Sequence, residues 1–145
     1  MSSPHDAFRS ILKKHRQSVT QARLAVFEAL LGQEPVRMHE LVERVGNIDR
    51  SSVYRAVELF EKLGIVQRLN TGWKYRVELT DIFTGHHHHL TCNDCGKTIA
   101  LNEIHLESVI DQLSKQHGFE PTAHQIEIQG ICQVCLTKRR AQASL

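Results

Sequence analysis

Apolar residues recur every three or four positions through the first half of the chain, and glycines break that pattern into helices. Leu24, Val26, Phe27, Leu30 and Leu31 form one stripe, with Thr20 placed to cap the helix and Gly32 placed to end it. Leu41, Val42 and Val45 mark a shorter helix over Met38 to Val45, closed by Gly46. A third starts at Asp49, Ser51 or Ser52, turns Val53, Ala56, Val57, Phe60 and Leu63 inward, and stops at Gly64. Short turns between such helices predict a helix-turn-helix. The period then drops to two: Ile65 to Leu69, a turn at Asn70-Thr71-Gly72, and Trp73 to Val77 read as a hairpin, placed where a wing would follow a recognition helix.

The stretch from Glu78 to Gly85 has no clear period, so the hinge falls there, at 81–85, between domains of residues 1–80 and 86–145. Beyond it, His86 to Cys92 and Lys97 to Leu101 read as strands. Asn102 to His117 reads as a helix with Leu106, Val109, Ile110 and Leu113 on one face, and Phe119 to Ile131 as a returning strand. The fold class is α+β, a winged helix-turn-helix followed by a small α/β domain. The end of the chain, from Lys138-Arg139-Arg140 onward, reads as a loosely attached basic tail.

Net charge is +2 over 145 residues, too little to name a partner by itself. Its distribution says more. Arg9, Lys13, Lys14, Arg16 and Arg23 follow one another with no acid between Asp6 and Glu28, a positive patch suited to phosphate. Seven of the ten histidines and all four cysteines lie beyond residue 83. No apolar run approaches the ~20 residues of a membrane span, and no apolar leader opens the chain, so the expected setting is a reducing cytoplasm.

That setting decides between the two readings of Cys92-x-x-Cys95 and Cys132-x-x-Cys135. Disulfides are disfavoured in it. Paired CxxC knuckles instead let four thiolates meet one zinc ion at ~2.3 Å in a closed structural site. Thirty-six residues separate the knuckles, so the metal would staple the ends of a whole domain. Enzyme chemistry finds little support. His39-Glu40-Leu41-Val42-Glu43 lacks the second histidine of a zinc-protease helix, and no site keeps the open position that catalytic zinc needs. On the third helix Ser51, Ser52, Tyr54 and Arg55 lie outside the apolar stripe near its N-terminus, where a recognition helix meets base edges. Arginine can take guanine O6 and N7, and a tyrosine ring can meet a thymine methyl.

With these segments in place the chain resembles the ferric uptake regulator family of metal-dependent repressors over nearly its whole length. The resemblance rests on Val19-Thr20-Gln21-Ala22-Arg23-Leu24, Ser52-Val53-Tyr54-Arg55, Leu63-Gly64-Ile65-Val66, His86 to Lys97, and Gln129 to Cys135. It implies a homodimer joined through the second domain, binding double-stranded A/T-rich palindromic DNA when metal is present, with Tyr54 and Arg55 in contact with DNA. The family's minor-groove lysine is replaced by Ser18, which leaves that role to Lys14 or Arg16. The family pattern groups His86, His88, Glu107 and His124 as a regulatory N3O site. His88 stands where iron sensors carry Asp, which moves the site towards Zn(II), with Fe(II) next. It also groups Glu78 with His87 and His89 as a hinge site, although Pro35 and Ala100 occupy two of that site's usual ligand positions. Peroxide sensors need a carboxylate-rich iron site, so Ala100 argues against that role. A zinc-thiol redox switch on the same fold is the other alternative.

Overall fold

The computed structural model describes residues 3–71 and 74–144. The chain divides after Gly85 into two compact units. Among the described residues no helix is long and apolar enough to cross a membrane.

The first unit contains α1 (Pro4–Lys14), α2 (Gln21–Leu30), α3 (Met38–Val45), α4 (Arg50–Lys62), β1 (Val66–Thr71), β2 (Lys74–Leu79) and α5 (Asp81–Thr84). Helix α1 is an element that the hydrophobic pattern alone did not separate. Its local signals are nonetheless complete: Ser3 Oγ accepts from Asp6 N at 3.2 Å while Asp6 accepts from Ser3 N at 3.1 Å, and Pro4 opens the first turn. Phe8 and Leu12, one helical turn apart, are fully buried. Phe8 stacks on Phe27 with centroids 4.2 Å apart and meets Phe60 edge-on at 5.4 Å, so three helices share one aromatic cluster. Leu41, Val53, Val57 and Ile65 belong to the same buried core. Each such side chain contributes roughly 1.5–3 kcal/mol on burial.

Helix α1 ends in a left-handed turn, with Gln17 N donating to Leu12 O at 2.8 Å and Arg16 N to Lys13 O at 3.0 Å. Arg16 takes the position that glycine normally holds, at φ 54°. Strands β1 and β2 pair antiparallel from Val66↔Leu79 to Thr71↔Lys74. The turn residue Gly72 and the strand residue Trp73 lie outside the described residues. Val36 joins Val77 by two backbone bonds of 3.0 and 2.8 Å, which extends the hairpin inward. The aperiodic stretch in which the hinge was expected is ordered locally. Glu78 belongs to β2, and Asp81–Thr84 forms one helical turn, fastened by Thr80 Oγ1 donating to Gly64 O at 2.7 Å.

The second unit contains β3 (His88–Cys92), β4 (Thr98–Leu101), α6 (Ile104–Gln116), β5 (Glu127–Gly130) and α7 (Gln133–Ala143). Strand β3 is central, antiparallel to β4 and parallel to β5. Three expectations are corrected here. His86 and His87 precede β3 rather than forming part of it. The returning strand is only Glu127–Gly130, because its partner β3 offers the four positions His89 to Cys92, and Pro121 disfavours a ladder in the approach. The C-terminal residues are not a loose tail but helix α7, tied back by Arg139 to Asp94. On the apolar face of α6, Val109 and Leu113 are 49% and 51% exposed. So small a unit has little core of its own, and a staple at its edge is what the size of such a unit demands.

Candidate metal centres and nucleic-acid interface

The first knuckle follows directly from the end of β3. Cys92 N donates to Lys97 O and Gly96 N to Cys92 O, both at 2.9 Å, and Gly96 at φ 70° lets the chain fold back on itself. The second knuckle opens α7, with Cys132 as N-cap and Cys135 in the first turn. Sulfurs bonded to one zinc at ~2.3 Å with tetrahedral angles stand ~3.8 Å apart. Cys95 Sγ and Cys132 Sγ are 3.8 Å apart, far beyond a disulfide, and all four cysteines are free. N–H donors from Cys132 and Cys95 bring the Cys92 thiol down to about 6, whereas hydrogen bonding to Cys132, followed by burial, pushes Cys135 up to about 12. Four sulfurs this close cannot all ionise without a cation among them, and a zinc ion suits both the donors and their spacing.

Side chains alternate between the two faces of a strand, and the histidine run follows that alternation even ahead of β3. The His86 and His88 rings lie 4.8 Å apart, as do those of His87 and His89. Helix α6 brings Glu107 to the first pair, and the segment before β5 brings His124. His88 Nε2 is 2.7 Å from Glu107 Oε1, His124 Nε2 is 3.0 Å from Glu107 Oε2, and His86 Nε2 is 3.0 Å from His124 Nε2. Donors at ~2.0–2.1 Å from a tetrahedral zinc stand ~3.3 Å apart, so these four atoms already surround a volume of the right size. His88 is 1% exposed, and its Nδ1 has no hydrogen-bond partner among the described residues. Burial draws the Glu107 carboxyl upward, but hydrogen bonds to His88 and His124 outweigh that and leave it below its usual value. A cavity of about 230 Å³, lined by His86, His88, Glu107, Glu103, Leu101 and Ile104, gives access to the cluster.

The third set divides between the units. Glu78 is buried in β2 and accepts from Gln67 Nε2 at 2.6 Å. His89 is buried on β3, directly opposite Ala100, so the residue facing it across the ladder offers no carboxylate. Pro35, whose carbonyl accepts from Arg76 at 3.2 Å, has no side-chain donor to offer a metal.

On α4 the N-terminus is built around Asp49. Its carboxylate accepts from Ser51 Oγ at 2.5 Å and Ser52 N at 2.9 Å, which holds its carboxyl well below the usual range. Arg55 Nη2 donates to Ser52 Oγ at 3.3 Å, so Arg55, Ser52 and Ser51 sit together at the start of the helix, beside a half-buried Tyr54. Lys14 and Arg16 are exposed at the end of α1, and Arg23 Nη1 donates to Ser18 O at 2.6 Å. Arg50, absent from the expected set, lies over the Tyr54 ring with its guanidinium carbon 5.3 Å from the centroid. Its signal in the sequence is spacing: residues 50 and 54 are one turn apart on a helix.

The sequence profile described as the ferric uptake regulator family matches residues 14–129. The ferric uptake regulation protein of Yersinia pestis is 36% identical over 131 residues, which cover 84% of this chain and 86% of that protein. Among solved structures, the ferric uptake regulator of Vibrio cholerae is similar with a TM-score of 0.66 at 29% identity, over 86% of this chain and 98% of its own. A zinc-bound manganese uptake regulator gives 0.67 at 26% identity, over 86% and 97%.

Proposed function

The chain belongs to the ferric uptake regulator family, and on that premise we propose that it is a cytoplasmic repressor of metal-homeostasis genes, active as a homodimer on A/T-rich palindromic operators when a regulatory metal is bound. It is a metal-responsive transcription regulator and not an enzyme. Cys92, Cys95, Cys132 and Cys135 hold a structural zinc; His86, His88, Glu107 and His124 hold the regulatory ion. The observation that carries the reading is the convergence of three imidazole nitrogens and one carboxylate at 2.7–3.0 Å, from β3, the segment before it, α6 and the segment before β5. Three nitrogens and one oxygen favour zinc over the harder ions that oxygen-rich sites select.

Bound there, the ion supplies a positive centre that links these four segments. His88, buried and fixed against Glu107, sets the position of the site; His86, His124 and Glu107 close round it from the solvent side. To act as a switch, the DNA-competent state must hold the ion more tightly than the incompetent one, by roughly 5.5 kcal/mol for a change from 1:99 to 99:1. Dimerisation is supported by the apolar side chains that the second unit leaves open, with Phe119 72% and Val134 64% exposed alongside the half-open face of α6. Two copies related by a twofold axis would place their recognition helices on a palindrome.

The test is operator binding by fluorescence anisotropy against free Zn(II), Fe(II) and Mn(II), with wild type, His88→Ala and His124→Ala. Zinc should activate wild type at the lowest free concentration. Both variants should lose the metal response yet keep one zinc per chain and remain dimers. A full response in both variants would overturn the assignment of the sensor and leave Glu78, His87 and His89 as the alternative.

A further inference from the structure

Arg50 is the first residue of α4, and the usual preferences of a helix argue against it there. The N-terminal end of a helix carries a partial positive charge, so a cation in the first turn is disfavoured unless something negative meets it. No residue of the chain fills that role among the described residues. The first turn of α4 contains no acid, Asp49 is taken up by Ser51 and Ser52, and Arg50 forms no ion pair. What Arg50 does have is Tyr54. The guanidinium lies over the tyrosine ring, and Nη2 donates to Tyr54 Oη at 3.3 Å.

That contact gives a flexible side chain a defined place. The ring attracts the cation and the hydroxyl takes one N–H, which leaves further N–H groups of the planar fork for an outside acceptor pair. A guanine offers such a pair in O6 and N7, within the major groove. A single phosphate oxygen would use only part of that fork. Arg50 also precedes Tyr54 by one turn on the same face of the helix, so the two would meet neighbouring positions of one half-site.

We propose that Arg50 is a specificity-determining residue which reads a guanine in each operator half-site, using the Tyr54 ring as its platform. This rests on the reading of the chain as a DNA-binding regulator with α4 as its reader. Its consequence is that the operator carries one fixed G·C pair per half-site within otherwise A/T-rich sequence.

The test starts from selection of duplexes from a randomised pool by the zinc-loaded wild-type dimer, followed by affinity measurements on the selected duplex and on one with the fixed G·C pair changed to A·T. Wild type should lose about tenfold to a hundredfold on the changed duplex. Arg50→Ala should bind both duplexes alike, at about the affinity of wild type for the changed one. Arg50→Lys should regain affinity for both through its charge without regaining the preference for guanine, because an ammonium has no planar fork. Tyr54→Phe, which keeps the ring and removes the hydroxyl, should reduce the guanine preference severalfold. The proposal is overturned if Arg50→Ala weakens all duplexes equally and flattens the salt dependence, which marks a phosphate contact, or if it changes nothing. A wild-type dimer that selects no duplex with zinc bound would instead refute the DNA-binding reading itself. Circular dichroism of each variant identifies any loss due to unfolding, and the comparison of two duplexes on one protein does not depend on it.

Discussion

Replacing Arg16 by glycine should stabilise the first unit while weakening its grip on DNA. Arg16 sits at φ 54°, where a side chain meets the following carbonyl, at a cost of about 1–2 kcal/mol relative to glycine. Glycine carries its own penalty, since the freer unfolded chain loses about 0.4–1 kcal/mol more on folding. The midpoints of these two ranges leave a net gain of about 0.8 kcal/mol, because the hydrogen bonds that close the turn, Gln17 N to Leu12 O and Arg16 N to Lys13 O, are all backbone and survive the change. For a unit of this size that is a rise of about 3–6 °C in Tm. The same substitution deletes a cation from the run that includes Lys13 and Lys14. If Arg16 meets a phosphate, affinity should fall for every duplex alike, and the slope of log K against log salt should flatten by about 0.9 for each phosphate no longer neutralised. Thermal unfolding followed by circular dichroism, with zinc held constant, measures the first effect. Anisotropy titrations between about 50 and 200 mM salt, a range over which a change of that size in the slope is readily measured, report the second. A lower Tm would refute the strain argument, and an unchanged salt slope would remove Arg16 from the DNA interface.

Serine in place of Cys92 or Cys132 should lower zinc content by one per chain, unfold the second unit and leave a monomer; metal analysis beside gel filtration decides it, and a zinc-free variant that stays dimeric would be decisive against a structural role. Arg139→Ala should speed zinc loss to a chelator severalfold, because Arg139 donates to Asp94 at 2.7 and 2.5 Å and thereby holds α7, with Cys132 and Cys135, against the first knuckle; equal release rates would show that this pair does not support the site. Operator binding at limiting zinc should weaken on acidification, since imidazole binds metal only when neutral. The depressed Glu107 carboxyl gives the same sign lower down: its ionised form is the one stabilised, so its contribution is present above the usual carboxylate range and is lost as pH falls through its lowered value. Binding that strengthens on acidification would contradict both.

Signals confined to a few consecutive residues are readable in the sequence, and those that depend on distant partners are not. Thr20 and Asp49 cap α2 and α4 with their side chains, as their place before the apolar stripes requires, and Gly32 and Gly64 stand at positive φ where those stripes end. Cysteine spacing likewise identifies a knuckle without knowledge of the fold. Phe119 to Ile126 has strand-forming residues but no strand, because pairing depends on the length of β3, which no local pattern encodes. Helix α7 reads as a tail because its basic residues carry no apolar stripe; what anchors it is Cys135 and the reach of Arg139 back to Asp94. The grouping of Glu107 and His124 with His86 and His88 comes from likeness to a family, since residues that far apart show no mutual spacing to read. Arg50 escapes notice because a single exposed arginine looks like solvated surface until its neighbour one turn along is seen beneath it.

Cys92 is both the last residue of β3 and a sulfur of the cysteine cluster, which gives the histidine run a fixed datum. Counting back from that anchor, the pleat dictates which histidines face Glu107 and which face away. An insertion of one residue between His89 and Cys92 would exchange the two groups wholesale, whereas a lengthening ahead of His86 would leave every donor where it is. The two faces can therefore diverge by replacement of single residues but not by changes in length on the anchored side, so drift in this segment should be tolerated upstream of the run and purged within it.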